Sequence, residues 1–245
     1  MEGSESNSRA VGGTGFGDTP ALIAAAHELK SPLSLMRQMA LSLEQGSCTP
    51  EQASVLAQRM VLTSERALRL TTDLTRAARL EDSLFTLEPI NPISLLEEVA
   101  HDMGPLYLAQ GRVLKVAQRR RSLLAVANRD LLRRIIMNFA DNALHYCTGD
   151  APVVLSAKHA PGRQGIRLSV RDYGPALPVN VWKTIEDSLG VRSQTLQARP
   201  ESSGLGMYIA GQFAETMGAK LGAVRHRDGA TFYIDLGAST QMRLL

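Results

Sequence analysis

The chain has 245 residues, 44% of them hydrophobic, 4% aromatic and 21% charged, with a formal net charge of +3; it can form one large domain or two small ones around a real core. Lys and Arg are spread along the sequence and aromatics are few, which argues against nucleic acid as a partner. Cys48 and Cys147 are too few for a disulfide framework or a cysteine metal site, so a reducing cytoplasm is the expected location. The longest apolar run near the start, residues 21–26, falls well short of the roughly 18 residues a membrane span needs, and no signal-peptide pattern precedes it.

Residues 1–19 are rich in Gly, Ser and Thr and are expected to be a flexible tail. From Pro20 a helix is predicted, because Leu22, Ala26, Leu29, Leu33, Met36, Ala40 and Leu43 recur with alternating gaps of four and three, a heptad seam. Inside it, the run from His27 to Leu33 places an imidazole, the Glu28 carboxylate, the Ser31 hydroxyl and Pro32 within two turns. An interior proline costs about 3 kcal/mol, so a helix with no task there has little reason to carry one. The plain alternative is a surface histidine on a helix that Pro32 ends. In the heptad frame His27 lies off the seam, facing solvent or a docking partner.

Gly46 suits a helix C-terminus, and Thr49-Pro50-Glu51-Gln52 supplies an N-cap, a first-turn proline and a capping-box glutamine. A second helix continues the seam through Leu56, Met60, Thr63, Ala67, Leu70, Leu74 and Ala77. The two form an antiparallel hairpin over residues 20–83. A hairpin cannot bury both stripes alone, and a second copy giving a four-helix bundle is the simplest partner.

A short strand and linker over 84–92 lead into a mixed domain, 93–238, with 239–245 as a C-terminal tail. Helices are predicted at 92–110, 129–146 and 204–217, and strands at 113–117, 123–127, 153–158, 165–171, 220–227 and 231–236. Arg119-Arg120-Arg121 reads as a solvated hairpin tip. Helices alternating with antiparallel strands predict an α+β sandwich, one sheet covered on one face by helices.

Three constellations in this domain carry chemistry. On the helix over 129–146, Asn138, Asn142 and His145 form one polar stripe beside an apolar face of Leu132, Ile135, Ile136, Phe139 and Ala143. Asparagine is a poor helix former, and two amide oxygens there suit a hard cation such as Mg²⁺ held by phosphate oxygens; the alternative is the polar border of an amphipathic helix. Asp172-Tyr173-Gly174-Pro175 follows a strand, projecting a carboxylate beside a glycine that lets a ligand approach. Ser202-Ser203-Gly204-Leu205-Gly206 leads into a helix, where free N–H groups can hold phosphate.

In this order the motifs resemble the cytoplasmic core of the sensor histidine kinases of two-component signalling, over residues 20–236. His27 to Leu33 resembles the H-box, Asp130 to Tyr146 the N-box, Asp172 to Pro175 the first glycine box, and Gly204 to Ile209 the second. The resemblance implies a Bergerat-type (GHKL) ATP-binding fold after the hairpin, with ATP and Mg²⁺ as cofactors. It implies a homodimer, an unknown upstream sensor and a response regulator receiver domain as partners. His27 is then the phosphorylated nucleophile, Glu28 the carboxylate that orients the ring and accepts its other proton, and Ser31 the residue that helps place a water for dephosphorylating the regulator. Asn142 ligates Mg²⁺ with help from Asn138, Asp172 accepts a hydrogen bond from the adenine amine, and Gly204 and Gly206 cradle the phosphates. His145, Tyr146, Gly174 and Leu205 complete the ATP-binding set.

The chain departs from the family pattern at three places. His145 stands where a fixed Lys or Arg charge is usual, Ala176 replaces a second glycine, and the lid phenylalanine motif has only Val181-Trp182 as a counterpart in the long 175–203 loop. These departures favour a rival reading, a nucleotide-binding pseudokinase scaffold that dimerises and docks a partner without phosphotransfer. A second rival is a net phosphatase of the regulator.

Overall fold

The computed structural model describes residues 19–46, 48–79, 85–117, 124–147, 150–163, 165–176, 179, 182–183 and 205–239. The N-terminal tail, Arg119 to Arg121, Gly204, most of the 175–203 loop and the last residues lie outside them. Among the described residues no helix is long and apolar enough to cross a membrane.

Helix α1 (Thr19–Glu44) runs through Pro32, so the proline does not end it. Gly46, at φ 65°, turns the chain into α2 (Pro50–Ala78). Thr49 and Gln52 cap α2 reciprocally: the Gln52 N–H donates to Thr49 Oγ1 at 3.3 Å and the Thr49 N–H to Gln52 Oε1 at 3.0 Å. The two helices pack as a hairpin, yet its own pairing buries few apolar side chains: Ala25, Met39, Ala67 and Ala77 are inside, whereas Leu33, Leu35, Val55, Val61 and Leu68 stay exposed.

The rest of the chain is a layered α/β unit. Strand β1 (Glu88–Ile90) leads into α3 (Pro92–Ala109), which Asn91 caps. Then come β2 (Leu114–Val116), β3 (Ala125–Ala127), α4 (Arg129–Tyr146), β4 (Val153–His159), β5 (Gly165–Arg171), α5 (Leu205–Thr216), β6 (Lys220–His226) and β7 (Gly229–Gly237). Five strands form one sheet in the order β2-β4-β5-β7-β6, and β1 pairs with β3 in a separate two-stranded sheet. Alternation sorts the main sheet into two faces. Leu155, Leu168, Val170, Phe232 and Ile234 point into the core under the helices, while Ser156, Arg167, Tyr233 and Asp235 lie on the other face.

Two expectations are corrected. The sheet is not wholly antiparallel, because β2 and β4 run parallel. Their connection includes α4, the kind of crossover a parallel pair needs. The strands flanking Arg119 to Arg121 belong to different sheets, so no hairpin joins them: β3 leaves β2 and pairs antiparallel with β1, matching Ala125 to Ile90.

The core is continuous from α3 through α4 to the sheet. Tyr107 of α3, fully buried, donates its hydroxyl to the Ala140 carbonyl of α4 at 2.6 Å, and burial pushes its ionisation well above the ordinary range. This bond fixes α3 against α4 within an otherwise apolar interface. Tyr107→Phe keeps the ring and removes one buried hydrogen bond, so chemical denaturation is expected to show a loss of about 1 kcal/mol with an unchanged m-value.

Candidate functional site

Helix α4 positions most of the candidate residues. Asn128 caps it by accepting from the Leu131 N–H at 3.1 Å, and its own amide nitrogen donates to the Thr86 carbonyl at 3.2 Å. One face of the helix, including Leu132, Ile135, Ile136 and Phe139, is fully buried. That burial fixes the rotation of the helix and turns Asn138, Asn142 and His145 the other way, toward the hairpin.

There, a cavity of about 310 Å³ opens between the hairpin and the α/β unit, lined by Glu28, Ser31 and Pro32 of α1, by Asn138, Asn142, His145 and Tyr146 of α4, and by Gly206 of α5. Arg66, Arg69 and Asp73 of α2 close another side. Asn138 donates its amide nitrogen to the Gly206 carbonyl at 3.2 Å. Asn142 is half-buried on the same stripe. Among the described residues no three His, Cys, Asp or Glu side chains gather as a metal site; the cavity's oxygens are the amides of Asn138 and Asn142 together with the separate carboxylates of Glu28, Asp73 and Asp141. His27 is exposed on α1 and does not line the cavity.

Asp172 and Gly174 form a second group, near the C-terminal end of α4. Asp172 is buried at 4% exposure; its Oδ1 accepts from the Ala230 N–H at 3.1 Å, and its own N–H donates to the Ala230 carbonyl at 3.0 Å. Burial lifts this carboxyl above its ordinary value, against the opposing pull of the Ala230 N–H, Arg171 and the Gly174 N–H. Gly174 is explained by a neighbour other than a ligand: a Cβ there would lie 2.5 Å from the Tyr146 carbonyl at the end of α4. Cys147 Sγ approaches the Tyr173 carbonyl at 3.4 Å in the same junction. Leu205 and Gly206 open α5, with Leu205 fully buried, while Gly204 is outside the described residues. The lid counterpart Trp182 is buried in the core, and Val181 lies outside the described residues.

Sequence reasoning missed the contact between α2 and α4. Three ion pairs run antiparallel along it: Arg66 to Asp141 at 2.8 Å, Asp73 to Arg134 at 2.6 Å and Arg76 to Asp130 at 3.5 Å. The signal was present as complementary charge stripes, 66, 73 and 76 on one helix against 141, 134 and 130 on the other. Asp73 is the buried member, its side chain 6% exposed. Desolvation pushes its pKa up to about 6 despite the attraction of Arg134, Arg76 and Arg69.

Comparison with known proteins bears on the fold and the family. Residues 127–240 match the family described as histidine kinase-, DNA gyrase B- and HSP90-like ATPases. The chain is 29% identical over 231 residues to the sensor protein KdpD of Escherichia coli, covering 91% of this chain and 25% of that protein. It is 24% identical over 218 residues to the sensor histidine kinase YkoH of Bacillus subtilis, covering 89% and 46%. The chain thus spans between a quarter and a half of the length of these relatives. A crystal structure of full-length ShkA in complex with AMPPNP aligns at TM-score 0.57 and 25% identity, over 91% of this chain and 46% of that one. The Acinetobacter baumannii histidine kinase AdeS shares the fold at TM-score 0.58 and 17% identity, over 86% and 97%.

The raised pKa of Asp73 gives a pH test. The folded protein holds a proton on Asp73 that the unfolded chain, with its ordinary value of 3.8, releases. Stability from this group is therefore full below about pH 4 and is lost as pH rises through about 6. The span is worth at most about 3 kcal/mol. Asp73→Asn mimics the protonated form, so denaturation curves from pH 4 to pH 7 are expected to show this decline in the unsubstituted protein and not in the variant.

Proposed function

Because the chain belongs to the sensor histidine kinase family, with an ATPase domain of the histidine kinase, gyrase B and HSP90 kind, we propose that it is an ATP-dependent protein histidine kinase. In this reading it phosphorylates its own His27 and passes the phosphoryl group to an aspartate of a response regulator. One observation carries the reading: a single cavity brings Glu28 and Ser31 of the hairpin against Asn138, Asn142 and Gly206 of the ATPase unit.

In the proposed reaction a neutral ring nitrogen of His27 offers its lone pair to the γ-phosphorus of ATP. An N–P bond forms as the bond to the β–γ bridging oxygen breaks, and ADP leaves with that electron pair. Glu28 takes the proton from the other ring nitrogen. In the second step a carboxylate oxygen of the regulator's aspartate attacks the phosphorus, the N–P bond breaks, and the proton returns to the ring. Asn142 and Asn138 would hold Mg²⁺ through their amide oxygens, and the ion would neutralise charge on the phosphates. The catalytic power rests on positioning and charge neutralisation. Asp172 reads the adenine amine, and Gly206 with Gly204 approaches the phosphates. His145 lines the cavity in place of a permanent cation, with Arg66 and Arg69 of the hairpin facing the same space.

The hairpin also supports a homodimer. Val61 and Leu68, seven residues apart on one stripe of α2, are 57% and 64% exposed, and Leu33 and Leu35 are similarly open on α1. A second copy laid against these stripes makes a four-helix bundle. Ser31, one turn after His27, lines the cavity and in this reading orients a water for dephosphorylating the regulator.

Incubation with radiolabelled ATP and Mg²⁺ is expected to give acid-labile phosphate on the protein, abolished by His27→Gln and by Asn142→Ala, with Ser31→Ala still labelled but unable to dephosphorylate the regulator. Nucleotide binding without any label in a folded, dimeric protein selects the scaffold instead. Sedimentation is expected to show a dimer, and Val61→Glu combined with Leu68→Glu is expected to yield a folded monomer.

A further inference from the structure

Arg171, the last residue of β5, directly precedes the buried Asp172. Its guanidinium adds side-chain bonds between two pieces of backbone already paired through β5 and β7. Nη1 donates to the Asp172 carbonyl and lies 3.4 Å from the carbonyls of Asp228 and Ala230. Nη2 donates to the Asp228 carboxylate at 2.5 Å, and the group sits 4.4 Å over the Tyr173 ring. One side chain thus ties the end of β5 to the turn between β6 and β7.

The turn it holds is the one that fixes Asp172. Ala230 exchanges two hydrogen bonds with Asp172, one to the backbone and one to Oδ1. Gly229, at φ 126°, lies so close that a Cβ would be 2.6 Å from Asp172 Oδ1 and 2.8 Å from Arg171 Nη1. The pair with Asp228, whose side chain is 66% exposed, is a surface ion pair of little worth by itself. The arginine's distinctive contribution is its planar fork, which turns Nη1 to the backbone carbonyls while Nη2 meets the Asp228 carboxylate, an arrangement a lysine ammonium on a flexible stem cannot reproduce with the same geometry.

We propose that Arg171 is a positioning residue for base recognition: it clamps the Gly229 turn against Asp172 and so holds the carboxylate where it meets the exocyclic amine of adenine. This rests on the reading of Asp172 as the adenine contact. A hydrogen bond selects between bases only while its acceptor is held in place, and a loosened carboxylate can relax toward water and lose the difference. A purely structural staple has another signature, since loosening the sheet edge weakens every ligand alike.

The test compares the binding of ATP, inosine triphosphate, which lacks the amine, and tripolyphosphate, which lacks the base, each with Mg²⁺. The unsubstituted protein is expected to prefer ATP over inosine triphosphate by about tenfold. Arg171→Met is expected to reduce that preference to about twofold and leave tripolyphosphate affinity unchanged. Asp228→Ala, at an exposed side chain, keeps the proposal testable should Arg171→Met not fold, and is expected to reduce the preference to about fivefold. A preference that survives in the variants overturns the clamp, as does a parallel loss for all three ligands. No preference in the unsubstituted protein overturns instead the reading of Asp172 on which the clamp depends.

Discussion

Helix α4 must satisfy four neighbours at once, and the placement of the candidate site follows from how it does so. Its apolar stripe is buried under the sheet, with Phe139 6.0 Å from Phe232 between ring centres. Tyr107 pins its middle from α3, Asn138 joins it to the start of α5, and Arg134 and Asp141 reach across to α2. At 3.6 residues per turn these demands fall on different faces, so one rotation of the helix about its axis serves all of them. Asparagines at 138 and 142 weaken the helix locally, and burial of the opposite face holds it in place.

The same helix connects the two halves of the candidate site. Its flank lines the cavity, whereas its C-terminal end meets the loop after β5, where the Tyr146 carbonyl packs against Gly174 and Cys147 against the Tyr173 carbonyl. The packing of α4 against the sheet therefore sets the separation between Asn142 and the Asp172 loop. In the proposed function this ties the group that meets the cation to the group that reads the base, at a fixed separation set by packing.

Much of this was legible because its signals are local. The Thr49 to Gln52 capping box, Gly46 and the heptad seam depend on residues a few positions apart, and the helices lie close to where those signals put them. Non-local pairings were not legible. Nothing in residues 114–127 distinguishes a β2-β3 hairpin from the observed pairing of β2 with β4 and β3 with β1, since both satisfy the same short apolar runs. Asp73 sits beside the seam residue Leu74 and reads as a solvated charge until Arg134, on another element, is known to face it. Gly174 and Arg171 were obscure for a related reason: their partners, the Tyr146 carbonyl and the turn at Gly229, are distant in sequence and are backbone atoms, whose positions no residue type announces.

The ion pairs between α2 and α4 also bear on how the ATPase unit is held on the hairpin. On α1, His27 is one turn from Ser31, about 40° around the helix, and it is exposed outside the cavity that Ser31 lines. Under the proposed function, any displacement of the ATPase unit along the hairpin would part the three ion pairs, together with the packing of α5 against α1 and α2. Arg66 with Asp141 and Arg76 with Asp130 are partly exposed and cost at most about 1 kcal/mol each to open. Asp73 and Arg134 are different, since separating them exposes a carboxylate that burial has already penalised, and water then recovers part of what the broken pair loses. A buried pair with a strained carboxylate is thus a weak latch for its short distance, and the alternating polarity of the three pairs restores one register when the two parts close again.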